Sequence, residues 1–144
     1  MGGSYGGYAT LMGLIRHPEL FRCGIDYFGV SDINLMFTSA RGDFSEYSLR
    51  YDLRTLIGDP DKDAEVLTQN SPVALADKLK NPLLIAHGYE DRRVPIEHAQ
   101  RLRSALGTPP EWVVYPNEGH GLFHENNRID FYKRVERFLA KHLQ

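Results

Sequence analysis

A chain of 144 residues, 42% hydrophobic and 25% charged, has the makings of one soluble globular unit with enough apolar material for a real core. Its formal net charge of −2 excludes a basic field able to hold nucleic acid or an anionic membrane surface. No apolar run approaches the roughly 20 residues of a membrane span, and a lone cysteine, Cys23, excludes an internal disulfide and reads as a small buried hydrophobe.

The chain starts Met1-Gly2-Gly3-Ser4-Tyr5-Gly6-Gly7-Tyr8, and Gly2-Gly3-Ser4-Tyr5-Gly6 has the G-x-S-x-G pattern of a nucleophile elbow, a sharp turn from strand to helix that exposes a serine hydroxyl. A Cβ two residues to either side of Ser4 is expected to collide where strand and helix backbones converge. Only three residues precede Ser4, so the strand leading into the elbow is expected to lie outside this chain. The N-terminus has no charged region followed by an apolar stretch, hence no visible signal peptide, which favours the cytoplasm.

From Tyr5 to about Arg16, Tyr8, Leu11, Met12 and Ile15 recur at helical spacing, and Pro18 ends the helix. Cys23 to Val30 reads as a short buried strand closed by a glycine turn, with Ser31 or Asp32 capping a short helix through Phe37. The aromatics Tyr27, Phe28 and Phe37 read as core. Ser39 to Tyr51, which includes Gly42, is polar and aromatic and reads as a loop, and Gly58-Asp59-Pro60-Asp61 reads as a turn. A helix is expected from about Asp63 to Gln69, then a short one capped by Ser71 with Pro72 in first position.

Pro82 to Gly88 is the clearest strand, an apolar run suited to the middle of a parallel sheet. A helix from about Pro95 to Leu106 follows, with Ile96, Ala99, Leu102 and Leu106 on one face and Gly107 as its stop. Glu111 to Tyr115 is another strand. The last helix runs from about Asn126 to His142, with Ile129, Val135, Phe138 and Leu139 inward. Strands alternating with helices predict an α/β fold with a parallel sheet. There is no internal repeat, low-complexity segment or interdomain linker.

Three residues fall where strands of such a sheet end, the edge at which open α/β sheets carry their sites. They are Ser4 on the elbow, Asp91 after one strand and His120 after the next, the serine–acid–histidine order of α/β-hydrolases. In that reading His120 takes the proton of Ser4, Asp91 orients the imidazole, and the backbone N–H of Tyr5 supports the oxyanion. Glu90 is the alternative acid. His124, four residues after His120, raises the possibility of a metal pair, but the glycines beside His120 argue against helix and no H-E-x-x-H pattern exists, so no metal and no cofactor is expected. His87 reads as a hydrogen-bonded structural residue, His17 and His98 as solvated.

Taken together, Gly2-Gly3-Ser4-Tyr5-Gly6-Gly7-Tyr8, His87-Gly88-Tyr89-Glu90-Asp91-Arg92-Arg93-Val94-Pro95 and Glu118-Gly119-His120-Gly121 resemble the three catalytic blocks of the prolyl oligopeptidase family of serine peptidases. The resemblance implies Ser4 as nucleophile, Asp91 as acid and His120 as base, acting on a peptide substrate. It also implies that the segment after Gly29 lines the pocket for the residue before the scissile bond, with Ile33, Met36 and Val94 as wall candidates and ordinary core packing as their alternative. Family members carry a β-propeller and further strands, so the chain reads as the C-terminal half of an α/β-hydrolase domain, a mostly parallel sheet flanked by helices. Two expectations follow. The strand from about Gly24 to Gly29 presents an unpaired edge that drives homodimerisation or larger assembly. Peptidase activity of this chain by itself is weak or absent, because a second oxyanion donor is lacking. A carboxylesterase and a non-catalytic half-domain are the alternatives.

Overall fold

The computed structural model describes residues 1–39 and 44–144. In chain order these form β1 (Gly2–Gly3), α1 (Tyr5–Arg16), a 3₁₀ turn (Pro18–Leu20), β2 (Gly24–Tyr27), α2 (Leu35–Thr38), a π-helical turn (Ser48–Asp52) running into α3 (Leu53–Leu56), α4 (Ala64–Gln69), a second 3₁₀ segment (Pro72–Lys78), β3 (Leu83–Gly88), α5 (Glu97–Ala105), β4 (Glu111–Tyr115) and α6 (Glu125–His142). The four strands make one sheet in the order β1-β2-β3-β4, every neighbouring pair parallel.

Strand β3 lies in the interior of this sheet, and all six of its residues are buried. Its side chains alternate between two cores, as the two-residue period of a strand requires. Leu83 and Ile85 join Leu11, Leu14, Ile15, Ala99 and Leu102 beneath α1 and α5. Leu84 and Ala86 join Ile25, Val113, Tyr115, Phe131, Val135 and Phe138 beneath α6. Helices on both faces explain why the run reads as continuously apolar. Among the described residues no helix is long and apolar enough to cross a membrane.

Several expectations change. The strand entering the elbow is present as Gly2–Gly3, paired with Asp26 and Tyr27, so β2 is flanked on both sides there and only Gly24 and Ile25 lack a partner on the β1 side. The expected loop contains the π-helical turn, and its residues 40–43, Gly42 among them, lie outside the described residues. Arg54 ties α3 to the Gly58–Asp61 turn through Asp59 and Asp61, both at 2.7 Å. Ser71 does not cap the helix after it: its hydroxyl accepts from the Ile33 N–H at 2.8 Å and donates to the Leu67 carbonyl at 2.8 Å, a tertiary tie that replaces the local one. On α6, Ile129 faces outward and Phe131 packs inward, its ring stacked 4.8 Å from Tyr27.

Candidate active site

Ser4 links β1 to α1 with φ 55° and ψ −122°, a conformation that costs a non-glycine residue strain and persists only under external hold. The hold is visible. The Ser4 N–H donates to the Tyr27 carbonyl at 3.0 Å, and the Ser4 carbonyl accepts from the Tyr8 N–H at 3.1 Å, so the turn hangs between β2 and the first turn of α1. The glycines around it divide unexpectedly. A Cβ at Gly2 would press into the backbone of Gly6, whereas a Cβ at Gly6 would meet nothing within 4 Å. The second position that excludes a side chain is Gly7, where a Cβ would lie 2.6 Å from the Gly29 Cα and against the Asp26 carboxyl.

Asp91 follows β3 and is buried with its side chain fully covered. Its Oδ1 accepts the N–H groups of Arg93 and Val94, both at 2.9 Å, and its Oδ2 faces His120 Nδ1 at 2.8 Å. A carboxylate only accepts, so Nδ1 is the protonated ring nitrogen and Nε2 is left as an acceptor. That Nε2 lies 3.0 Å from Ser4 Oγ. The three side chains therefore form one hydrogen-bonded row reaching from β1 to the loop after β4. Glu90 is exposed and takes no part in it. Tyr5 opens α1 directly after Ser4, and the first N–H groups of a helix have no intrahelical acceptor.

Beside the row lies an apolar cavity of about 470 Å³ lined by Ser4, Tyr8, Val30, Leu67 and Val94 and closed by residues of α2 to α4. The structure places Ile33, Met36 and Val94 on its wall, and Val94 and Met36 are buried there. Phe44, from the stretch read as a loop, and Leu53, Leu56 and Ile57 beyond it supply the far side.

Some residues that matter here are quiet in the sequence. Phe28, read as core, adopts φ 41°, and its ring sits 4.5 Å from that of His120. Glu118 is buried two residues before His120 and accepts the N–H groups of Phe123 (2.8 Å) and His124 (2.9 Å) and the amide of Asn127 (2.8 Å). Burial alone pushes the Glu118 carboxyl up, but these donors and the His124 ring, 3.0 Å away, outweigh it and hold it below its usual range. A carboxylate just before a Gly-His-Gly loop and a helix start was the available signal. His124 is engaged by that carboxylate. His98, read as solvated, is buried: its Nδ1 accepts from the N–H groups of Ser31 and Asp32, each at 3.3 Å, and Ser31 Oγ donates to its carbonyl at 2.6 Å. Burial, then the neighbouring His87 and Arg101, push its ring down to about 3. His87 is a hydrogen-bonded residue inside the fold, with Nε2 2.7 Å from the Val94 carbonyl, and burial lowers its affinity for a proton as well.

A parallel sheet with helices on both faces, a serine on a strained strand-to-helix turn, and a histidine bridging it to a buried aspartate define a chain of the α/β-hydrolase class. A profile of the prolyl oligopeptidase family matches residues 1–144, and the chain belongs to that family. It is 38% identical over 146 residues to dipeptidyl aminopeptidase BIII of Pseudoxanthomonas mexicana, covering 98% of this chain and 21% of that protein. The human acylamino-acid-releasing enzyme is 28% identical over 149 residues, with 99% of this chain and 20% of the relative covered. Among solved structures, a Mycobacterium tuberculosis puromycin-hydrolysing peptidase superposes with a TM-score of 0.88 at 26% identity, over 99% of this chain and 21% of that one. Pyrococcus horikoshii acylaminoacyl peptidase gives 0.85 at 28% identity, over 99% of this chain and 23% of its own. The chain thus spans about a fifth of the length of the curated relatives it matches.

Proposed function

We infer that the chain carries the acyl-transfer centre of a serine peptidase, with Ser4 as nucleophile, His120 as general base and acid, and Asp91 as its orienting partner. The observation that carries this reading is the His120 bridge, 3.0 Å to Ser4 Oγ on one side and 2.8 Å to Asp91 Oδ2 on the other. Ser4 Oγ attacks the carbonyl carbon of the scissile amide while its proton passes to His120 Nε2. The negative oxygen of the tetrahedral intermediate is met by the Tyr5 N–H. Collapse breaks the C–N bond, the departing amine takes the proton from His120, and water repeats the sequence on the acyl-serine. The buried Asp91 carboxylate supports the imidazolium at both steps without accepting its proton.

The cavity beside Ser4 suits an apolar side chain preceding the scissile bond, with Ile33, Met36 and Val94 as contact residues. Among the described residues Tyr5 is the oxyanion donor of this proposal, and a centre with one donor in place of two is slower by about 10²–10³. Slow turnover is therefore expected of this chain by itself. The test is labelling with a fluorophosphonate followed by substrate comparison. Slow, stoichiometric modification of Ser4, lost in Ser4→Ala, with measurable release from aminoacyl-p-nitroanilides, supports the peptidase reading. Release from p-nitrophenyl esters alone identifies a carboxylesterase, and no labelling under any condition identifies a non-catalytic unit.

A further inference from the structure

The structure assigns Asp26 a role behind the nucleophile. We propose that Asp26 is a positioning residue whose uncharged carboxyl group seats α1 against β2, and that loss of its proton at alkaline pH shifts Ser4 out of line with His120. The proposal concerns the regulation of the centre described above and rests on that reading for its activity readout, but not for its structural one.

The placement is specific. Asp26 sits in β2, is 1% exposed, and shares a sheet face with Gly24, whose missing Cβ leaves room for Leu14 of α1. Its Oδ1 fills the space that Cβ atoms of Gly7 and Gly29 would take. It is therefore wedged between the start of the elbow helix and the loop that leaves β2. The residues following it hold two of the three members of the reactive row: the Tyr27 carbonyl accepts the Ser4 N–H, and the Phe28 ring packs on His120. A displacement of this wedge acts on nucleophile and base together.

Among the described residues only the Gly29 amide near it favours a charge. Across the opposite face of β2 lies α6, with Phe131 stacked on Tyr27; on the Asp26 face and beside it in the sheet lie α1, β1 and β3. Their titratable or charged residues are Tyr5, Tyr8 and Arg16 of α1 and His87 of β3, while β1 is Gly2–Gly3. Arg16 is taken up by the Asn70 side chain at 2.8 Å and Tyr8 by the Asn70 carbonyl at 3.1 Å, and the buried His87 holds the Val94 carbonyl. On β2 itself Tyr27 is the other titratable group. Among the described residues Oδ1 has no hydrogen-bond partner, so ionisation puts into the interior a charge that only the Gly29 amide offsets. Burial pushes the carboxyl up to about 7, the Gly29 amide offsetting it only in part.

The test compares wild type with Asp26→Asn from pH 5 to 9 by two readouts. First, the rate of fluorophosphonate labelling at Ser4 relative to Asp26→Asn is expected to fall about tenfold per pH unit above neutrality, as the protonated fraction of an acid does. A ratio that does not change with pH overturns the proposal, since a merely structural residue changes the rate by a constant factor. Second, the NMR ring shifts of Phe28 are expected to follow a titration that Asp26→Asn removes. The same titration in both chains overturns the proposal whatever the labelling shows. Should Ser4 prove unreactive in wild type while the ring shifts behave as expected, the peptidase reading falls and the positioning role stands. If Asp26→Asn does not fold, Asp26→Ser, smaller and also uncharged, carries the same comparison.

Discussion

Replacing Gly6 and Gly7 in turn by alanine separates the elbow as a sequence pattern from the elbow as a packed object. The pattern G-x-S-x-G makes Gly6 the essential glycine, yet its Cβ position is open space. Gly6 lies in α1, where alanine is the better helix former, so Gly6→Ala is expected to stabilise by about 0.5–1 kcal/mol. At Gly7 the new methyl meets a backbone Cα at 2.6 Å and a fully buried carboxyl, neither of which yields as a flexible side chain would. Overpacking of this kind costs about 1–3 kcal/mol, and rigid neighbours place Gly7→Ala at the upper end. The two variants then differ by about 4 kcal/mol. At about 2–4 °C per kcal/mol for chains of 150 residues or more, their melting temperatures differ by about 10 °C. Urea titration with equal m-values is the assay. Equal midpoints, or greater damage from Gly6→Ala, would refute the reasoning that backbone approach at Gly7 is what the turn requires.

The pH dependence of stability follows from two buried groups of opposite sign. Asp26 has its acidity weakened from 3.8 to about 7 in the fold, so the native state holds a proton the unfolded chain has lost, and stability falls as pH rises through that window, by about 4 kcal/mol in all. His98 is lowered from 6.5 to about 3, so the unfolded chain binds the extra proton, and stability is lost as pH falls from about 6.5. The two slopes oppose each other between about pH 4 and 6.5; Asp26→Asn is expected to gain stability with pH across that range and His98→Asn to lose it, measured by urea midpoints, and matching slopes in both variants would refute the assignment. Glu118→Ala removes the acceptor for the Phe123 and His124 N–H groups and is expected to destabilise by about 2–4 kcal/mol, as charge-assisted bonds to a buried group do, and to slow Ser4 labelling; a change within 0.5 kcal/mol, roughly the scatter of surface substitutions, would count against it. Self-association is proposed along the outer edge of β1 and the uncovered start of β2, giving a dimer that dissociates on dilution in light scattering; a monomer at every concentration would sink that proposal.

Reading this chain residue by residue reaches as far as local rules reach. The ends of α1 and β4 follow from the 3.6-residue period of Tyr8, Leu11, Met12 and Ile15 and from the apolar run closed by Pro116. The order Ser4, Asp91, His120 at successive strand ends already implies their meeting, because a parallel sheet brings the carboxyl ends of its strands to one edge. The stretch Ser48–Ile57 carries the same period in Leu49, Leu53, Leu56 and Ile57, but that Leu53, Leu56 and Ile57 wall the cavity beside Ser4 depends on where the segment packs.

What only the tertiary structure decided is which polar and small residues the interior demands. Asp26 and His98 are polar residues inside elements read as apolar, and the pattern of neither element says that these polar side chains turn inward. Ser71 has the pattern of a cap and serves a distant backbone instead. Gly7, not Gly6, bears the close approach of helix to strand. Periodicity reports which face of an element turns inward; whether a given site on that face meets a side chain, a backbone or an unpaired carboxyl depends on the element packed against it, and that partner is far away in the chain.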